Sequence, residues 1–394
     1  MWRLASWFVW LLPAWSSLGA APHVHKGWID FRGHRPPQSL ALVGEWDFFW
    51  KQLLGPRTES WPQVDQRAET SYSWENFVDL KTGERLGPDG YATYRLRITG
   101  LPPHPDGYEI GFQSASSSTQ LIAYREGQET TVTSRKAGVV STQPDGHIPL
   151  LRPLHLEIHP ETAQDVWVIV IQVANYSYSK GGLWNDVYLG PGRLISRHQE
   201  LVQLEHLVAS GVILCIGLAM IMIYVRKQAH RLWLLLAIFC LILASRALFS
   251  GQVLSYLFDA DGPWFYRIVS FLQDAALITG PALYGLMMGK TMRSNPLQGV
   301  EGLILAAMIL GILLTWPLES SVFSASTSWY RMLIGCWTVY CFLALLRAGW
   351  LDQSGPLWVR MAGVILCMAL ATYLLATKEP LLWTHVIQYR ATHV

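Results

Sequence analysis

Cysteine is missing from the first half of the chain: all five, Cys215, Cys240, Cys336, Cys341 and Cys367, fall after Leu201. The earlier segment therefore has no disulfide framework, and the Cys336–Cys341 spacing fits no familiar zinc site. Charge is scarce as well. Charged residues make up 15% of the 394, the formal net charge is +2, and no basic run or RNA-binding motif occurs, which excludes a nucleic-acid partner. Catalytic signatures are also lacking. There is no G-x-S-x-G, no H-E-x-x-H and no pair of carboxylates inside an apolar segment, so no nucleophilic or metal-dependent chemistry is legible, and neither a metal nor a cofactor is implied.

Apolar sequence is abundant, at 51%. A bilayer core of ~30 Å needs about 20 apolar residues per helix. Six segments meet that length: Leu204 to Val225, Leu232 to Gln252, Trp264 to Met288, Gly299 to Trp316, Trp329 to Leu346 and Leu357 to Thr377. They predict a polytopic α-helical membrane domain over residues 201–377, followed by a short tail, 378–394. Arg226, Lys227, Arg231, Lys290, Arg293, Arg347 and Arg360 place the first, third and fifth connections on the cytoplasmic side. The alternate loops, with Asp259, Asp261 and Glu319, face outward, and an even number of spans returns Val394 to the outside. Arg246 and Asp274 lie inside adjacent antiparallel spans, where unpaired charge is costly, and are expected to form an intramembrane pair.

Residues 1–21 carry one early cation, Arg3, then an apolar run from Leu4 to Trp15 and small residues, the pattern of a signal peptide; an uncleaved anchor is the alternative. From Lys26 to Gly192 the periodicity changes to short runs rich in Val, Ile, Tyr, Trp and Thr between Gly, Pro and Asp turns. Strands are expected at Ser39 to Trp50, Tyr91 to Thr99, Gly107 to Gln113, Gln120 to Arg125, Leu154 to His159, Val166 to Ala174 and Leu183 to Leu189. That predicts a β-sandwich of jelly-roll type over 26–192. No flexible linker joins it to the first span, so the two are closely coupled.

Three ordered motifs carry a resemblance. Gly44-Glu45-Trp46-Asp47-Phe48-Phe49-Trp50-Lys51-Gln52-Leu53-Leu54, then Gly90-Tyr91-Ala92-Thr93-Tyr94-Arg95-Leu96, then Asn175-Tyr176 with Gly181-Gly182-Leu183-Trp184 and Leu189-Gly190 are similar to the extracellular domain of bacterial seven-transmembrane receptors with diverse intracellular signalling modules. Against that family the sequence is expected to want the seventh span and an output module, as either a truncated receptor or one whose output belongs to a partner would. The resemblance implies a receptor of the bacterial inner membrane whose periplasmic jelly roll, galactose-binding-like in fold, senses a small carbohydrate-like ligand. Its partners would be that ligand, membrane lipid, and a cytoplasmic or membrane-borne signalling protein.

Arg95, Asn175 and Trp184 are the candidate ligand-binding residues; Arg95 and Arg97 share a strand face opposite Tyr94 and Leu96. The aromatic residues of the motifs are divided between core packing and a stacking platform for a sugar ring. His155, Glu157 and His159 alternate along one strand face about 7 Å apart per step, as a solvated polar face does. Two other functional classes remain open: a membrane anchor or binding protein without signalling, and a polytopic membrane enzyme, which would need polar residues converging inside the spans.

Overall fold

The computed structural model describes residues 22–250 apart from 35–38, 59, 65, 71, 81, 114–116, 129–131, 151, 184 and 228–231, together with residue 310. The chain order is β1 (Trp28–Asp30), β2 (Leu40–Ala41), β3 (Glu45–Trp50), β4 (Gln66–Glu69), β5 (Gly90–Thr99), β6 (Tyr108–Phe112), β7 (Ser118–Arg125), β8 (Val132–Ala137), β9 (Leu154–Ile158), β10 (Trp167–Asn175) and β11 (Val187–Pro191), followed by helices α1 (Leu194–Lys227) and α2 (Leu232–Ser250). The strands form two sheets. The larger runs β4-β3-β5-β10-β7-β8, with β1 paired to β5, and the smaller runs β2-β11-β6-β9. Among the named strands all pairings are antiparallel except that of β1 with β5.

Alternation decides what each sheet buries. Trp46, Phe48, Tyr94, Leu96, Ile169, Ile171 and Leu121 share one face of the large sheet and are buried, as are Ile110, Phe112, Leu154, Leu156, Val187 and Leu189 of the small one. Two antiparallel sheets with buried apolar faces fit a β-sandwich.

The stretch from Ser39 to Trp50, expected as one strand, is two strands in different sheets. Leu42 donates to Val187 O at 2.7 Å in the small sheet, whereas Trp46 pairs with Ala68 in the large one. The corner lies at Gly44, whose φ of +134° favours glycine and whose missing Cβ would overlap the Val24 carbonyl. β1, β4 and β8 were not expected from periodicity. β4 and β8 are the edge strands, and Gln-Arg-Ala-Glu or Val-Thr-Ser-Arg-Lys-Ala carries the polar composition an edge tolerates.

The chain divides into two compact units. One takes in all the named strands and the start of α1 as far as His198; the other holds the rest of α1 and α2. α1 has 34 residues and so measures about 51 Å at 1.5 Å per residue. Among the described residues it is the one helix long and apolar enough to cross a membrane. It contains the first predicted span. α2 coincides with the second and packs against α1 through small residues: Ser210 Oγ donates to Ala244 O at 2.9 Å, and Gly217 lies against Ala237 and Cys240. Partner numbers on α2 fall as those on α1 rise, so the two helices are antiparallel. The four later spans, the signal segment, Trp184 and Asp274 lie outside the described residues, as does the side chain of Arg246, whose backbone belongs to α2.

Candidate functional site

The motif residues converge at one end of the large sheet. Trp74 is buried, with its Nε1–H donating to Pro88 O at 3.1 Å and its ring meeting Trp50 edge-on at 4.9 Å between centroids. Gly181 lies against that indole, and a Cβ there would overlap the ring; its carbonyl accepts the Trp74 N–H at 3.0 Å. Gly182, at φ +97°, leaves room for the Tyr94 hydroxyl, which accepts the Leu183 N–H at 3.3 Å. Asn175, fully buried, ends β10 and donates from Nδ2 to the same Pro88 carbonyl at 2.8 Å. The two glycines and the asparagine thus serve the packing of Trp74 and Tyr94.

Beside them Glu75 keeps a half-buried carboxylate. Its Oε1 accepts the Gly181 N–H at 2.9 Å and its Oε2 the Ser73 hydroxyl at 3.4 Å, while burial pushes its pKa up. Such a group at a loop cluster is a functional-site candidate on physical grounds. Nothing in its local sequence, Ser73-Trp74-Glu75-Asn76, distinguishes it from a solvated turn.

Arg95 sits elsewhere. Register partners Asp47, Arg95 and Val170 share the other face of the large sheet. Both Arg95 Nε and Nη2 donate to Asp47 Oδ2, at 3.1 and 2.8 Å, and both side chains are buried. The guanidinium carbon lies 4.4 Å from the Trp61 ring centroid and 5.2 Å from that of Phe49. Arg67 and Arg97 also approach Asp47, at 3.9 and 3.6 Å, and Arg97 reaches Glu126 at 3.4 Å. Burial presses the Arg95 pKa down and Asp47 opposes it. The loop after β3 straps this face: Leu54 N–H donates to Thr93 Oγ1 and Gln172 Nε2 to Leu54 O, while Trp61 packs over Ile122, Tyr124, Val168 and Val170.

Arg95 and Asn175 are therefore not brought together. Val170 is Arg95's neighbour across the ladder, and Asn175, an odd number of residues further along β10, points to the opposite face. Trp61 was missed because it stands alone in a polar loop; Asp47 was legible as a charge between aromatic residues, but its partners were not. Among the described residues no group of His, Cys, Asp and Glu is placed to hold a metal ion.

No family model and no curated protein matches the chain. Solved structures of a β-glucuronidase from Ruminococcus gnavus are similar over 39% of this chain at 14% identity. The crystal structure of that enzyme and its complex with uronic isofagomine give a TM-score of 0.27 over 28% of their length, and its complex with D-glucuronic acid gives 0.27 over 29%. The chain thus spans less than a third of that enzyme's length, and likeness of this extent says nothing of substrate or activity.

Proposed function

We propose that the chain is a multi-pass receptor of the bacterial inner membrane. Its β-domain is a periplasmic jelly roll, galactose-binding-like in fold, that senses a small carbohydrate-like ligand, and its helices carry the change to a cytoplasmic or membrane-borne signalling partner. The observation that carries this reading is the junction: only Gly192 and Arg193 separate β11 from α1, and α1 then continues without a break to a length that crosses a bilayer. A linker that short transmits displacement, whereas a simple anchor has no use for it. Because Arg95 is committed to Asp47, the ligand is better served by the loop cluster around Glu75 and Asn175, toward which Trp184 also lies in sequence.

Two measurements test it. With native cysteines confined to the helical half, a cysteine introduced at exposed Leu80 is the only thiol in the β-domain. A membrane-impermeant maleimide should label it in intact spheroplasts and should not label a cysteine at Arg226; the reverse pattern would overturn the orientation. Thermal shifts of the full chain in nanodiscs are then read against a panel of neutral sugars, amino sugars and uronic acids. A saturable rise in Tm that Glu75→Gln weakens supports the receptor, and no response to any of them removes the carbohydrate reading.

A further inference from the structure

The first turn of α1 is built into the small sheet. Gly192 N–H donates to Gly107 O at 2.9 Å, and Ile195 is buried against Gly111 of β6, where a Cβ would come 3.0 Å from Ile195 Cγ2. Two residues before Gly111, on the same face of β6, stands Glu109, with no exposed side-chain surface. Its Oε2 accepts the backbone N–H of Ser196, the third helical residue, at 2.8 Å. That N–H has no carbonyl one turn back to receive it, and a carboxylate there meets the positive end of the helix dipole.

The other oxygen, Oε1, is buried without a hydrogen-bond partner among the described residues, and so is Nδ1 of His155 on β9. His155 Nε2 stands 4.0 Å from Oε1, beyond hydrogen-bond distance, and Glu157 is the register partner of Glu109. A neutral side chain would cap a helix at lower desolvation cost than a fully buried carboxylate. The charge is costly unless both oxygens are satisfied, and here one is not.

We propose that Glu109 is the coupling residue of the receptor: its charge clamps the first turn of α1 to β6, so that a displacement of β6 and β9 is imposed on α1 and not absorbed by a hinge. This rests on the receptor reading above and names its mechanical link. The half-satisfied carboxylate gives the clamp two settings. A shift of about 1 Å in the His155 side chain, with the β6–β9 ladder intact, brings its Nε2 toward the roughly 2.8 Å of a charge-assisted bond to Oε1 and tightens the grip. Losing the Ser196 bond hydrates both groups and frees the turn. Small shifts become discrete because packed contacts are bistable.

Hydrogen exchange on the full chain in nanodiscs tests the clamp without a ligand. Both Glu109→Ala and Glu109→Gln should speed exchange of amides 195–201 by about tenfold, with β5 and β10 as protected as before. His155→Lys, which sets a lasting cation beside Oε1, should slow it severalfold, and should do nothing in the Glu109→Ala background. Maleimide labelling of a cysteine introduced at exposed Arg226, near the far end of α1, reads whether the effect travels; its rate should change in the same variants. Wild-type exchange in Glu109→Gln would show that charge is not the agent and overturn the proposal. Faster exchange with unchanged labelling at position 226 would reduce Glu109 to a helix cap and overturn the coupling. Either result leaves the orientation and ligand tests standing on their own.

Discussion

The indole of Trp74 fills the space that a side chain on Gly181 would occupy. The relationship explains why a double glycine stands in that loop: the first admits the ring, and the second takes a positive φ beside the Tyr94 hydroxyl.

Gly181→Ala should cost about 1–3 kcal/mol through overpacking against Trp74. Gly87→Ala is the matched control, because among the described residues nothing lies within 4 Å of its added Cβ; it should be neutral or slightly stabilising through the unfolded chain. Thermal unfolding of the full protein in micelles, followed in the near ultraviolet, separates the two.

Asp47→Asn should cost about 3–5 kcal/mol, because Arg95 would remain buried beneath Trp61 and Phe49 without its counter-charge. Arg95→Leu should destabilise less, because Arg97 and Arg67 still face Asp47, and the double change should cost less than the sum of the two, since each single change takes from a buried charge its nearest partner. Denaturant titration of the four proteins measures this coupling; strict additivity would mean that the pair contributes nothing.

His147 gives a pH dependence of known sign. Burial lowers its pKa to about 4, outweighing the opposing hydrogen bond to Ala174 O at 3.0 Å. The unfolded chain, at the ordinary 6.5, binds the proton first, so the contribution to stability is complete above pH 6.5 and is lost as pH falls toward 4. The loss is at most about 3 kcal/mol. Glu75, whose pKa burial raises, acts in the opposite sense. His147→Gln should therefore flatten the fall in Tm between pH 6.5 and 4, and an unchanged slope would assign the acid sensitivity elsewhere.

On α1, Gly217→Leu should drive α2 away and lower Tm, because its Cβ position is 3.1 Å from Cys240 Cβ. Gly211→Leu, whose added Cβ meets nothing within 4 Å among the described residues, should not. Ser210→Ala removes the bond to Ala244 O and should cost about 0.6 kcal/mol, the average for such contacts between membrane helices. Thermal inactivation in nanodiscs ranks the three.

Much of the β-domain was legible because periodicity is a local property. β5, β6, β9 and β10 coincide with expected strands to within about two residues, since each alternates or runs apolar between turn residues. Around Gly44 alternation predicts a single strand, because it does not reveal which sheet a residue joins. β4 and β8 carry no strand signal because an edge strand needs little apolar sequence. Of the candidate ligand residues, Arg95 alternates with Tyr94 and Leu96 along the sequence, but its burial under Trp61 depends on a loop that returns across the sheet.

The sequence by itself determined the change from short strands to long apolar segments near residue 200, the lack of cysteine before it, and the short join between the two, because composition, period and spacing are written along the chain. Only the tertiary structure decided that Asp47 holds Arg95, that Gly181 serves Trp74, and that Glu109 grips the start of α1. These partners are separated by 48, 107 and 87 residues respectively, the last two counted from Gly181 to Trp74 and from Ser196 to Glu109. Pairing over such distances follows from strand register and packing, which no local pattern encodes.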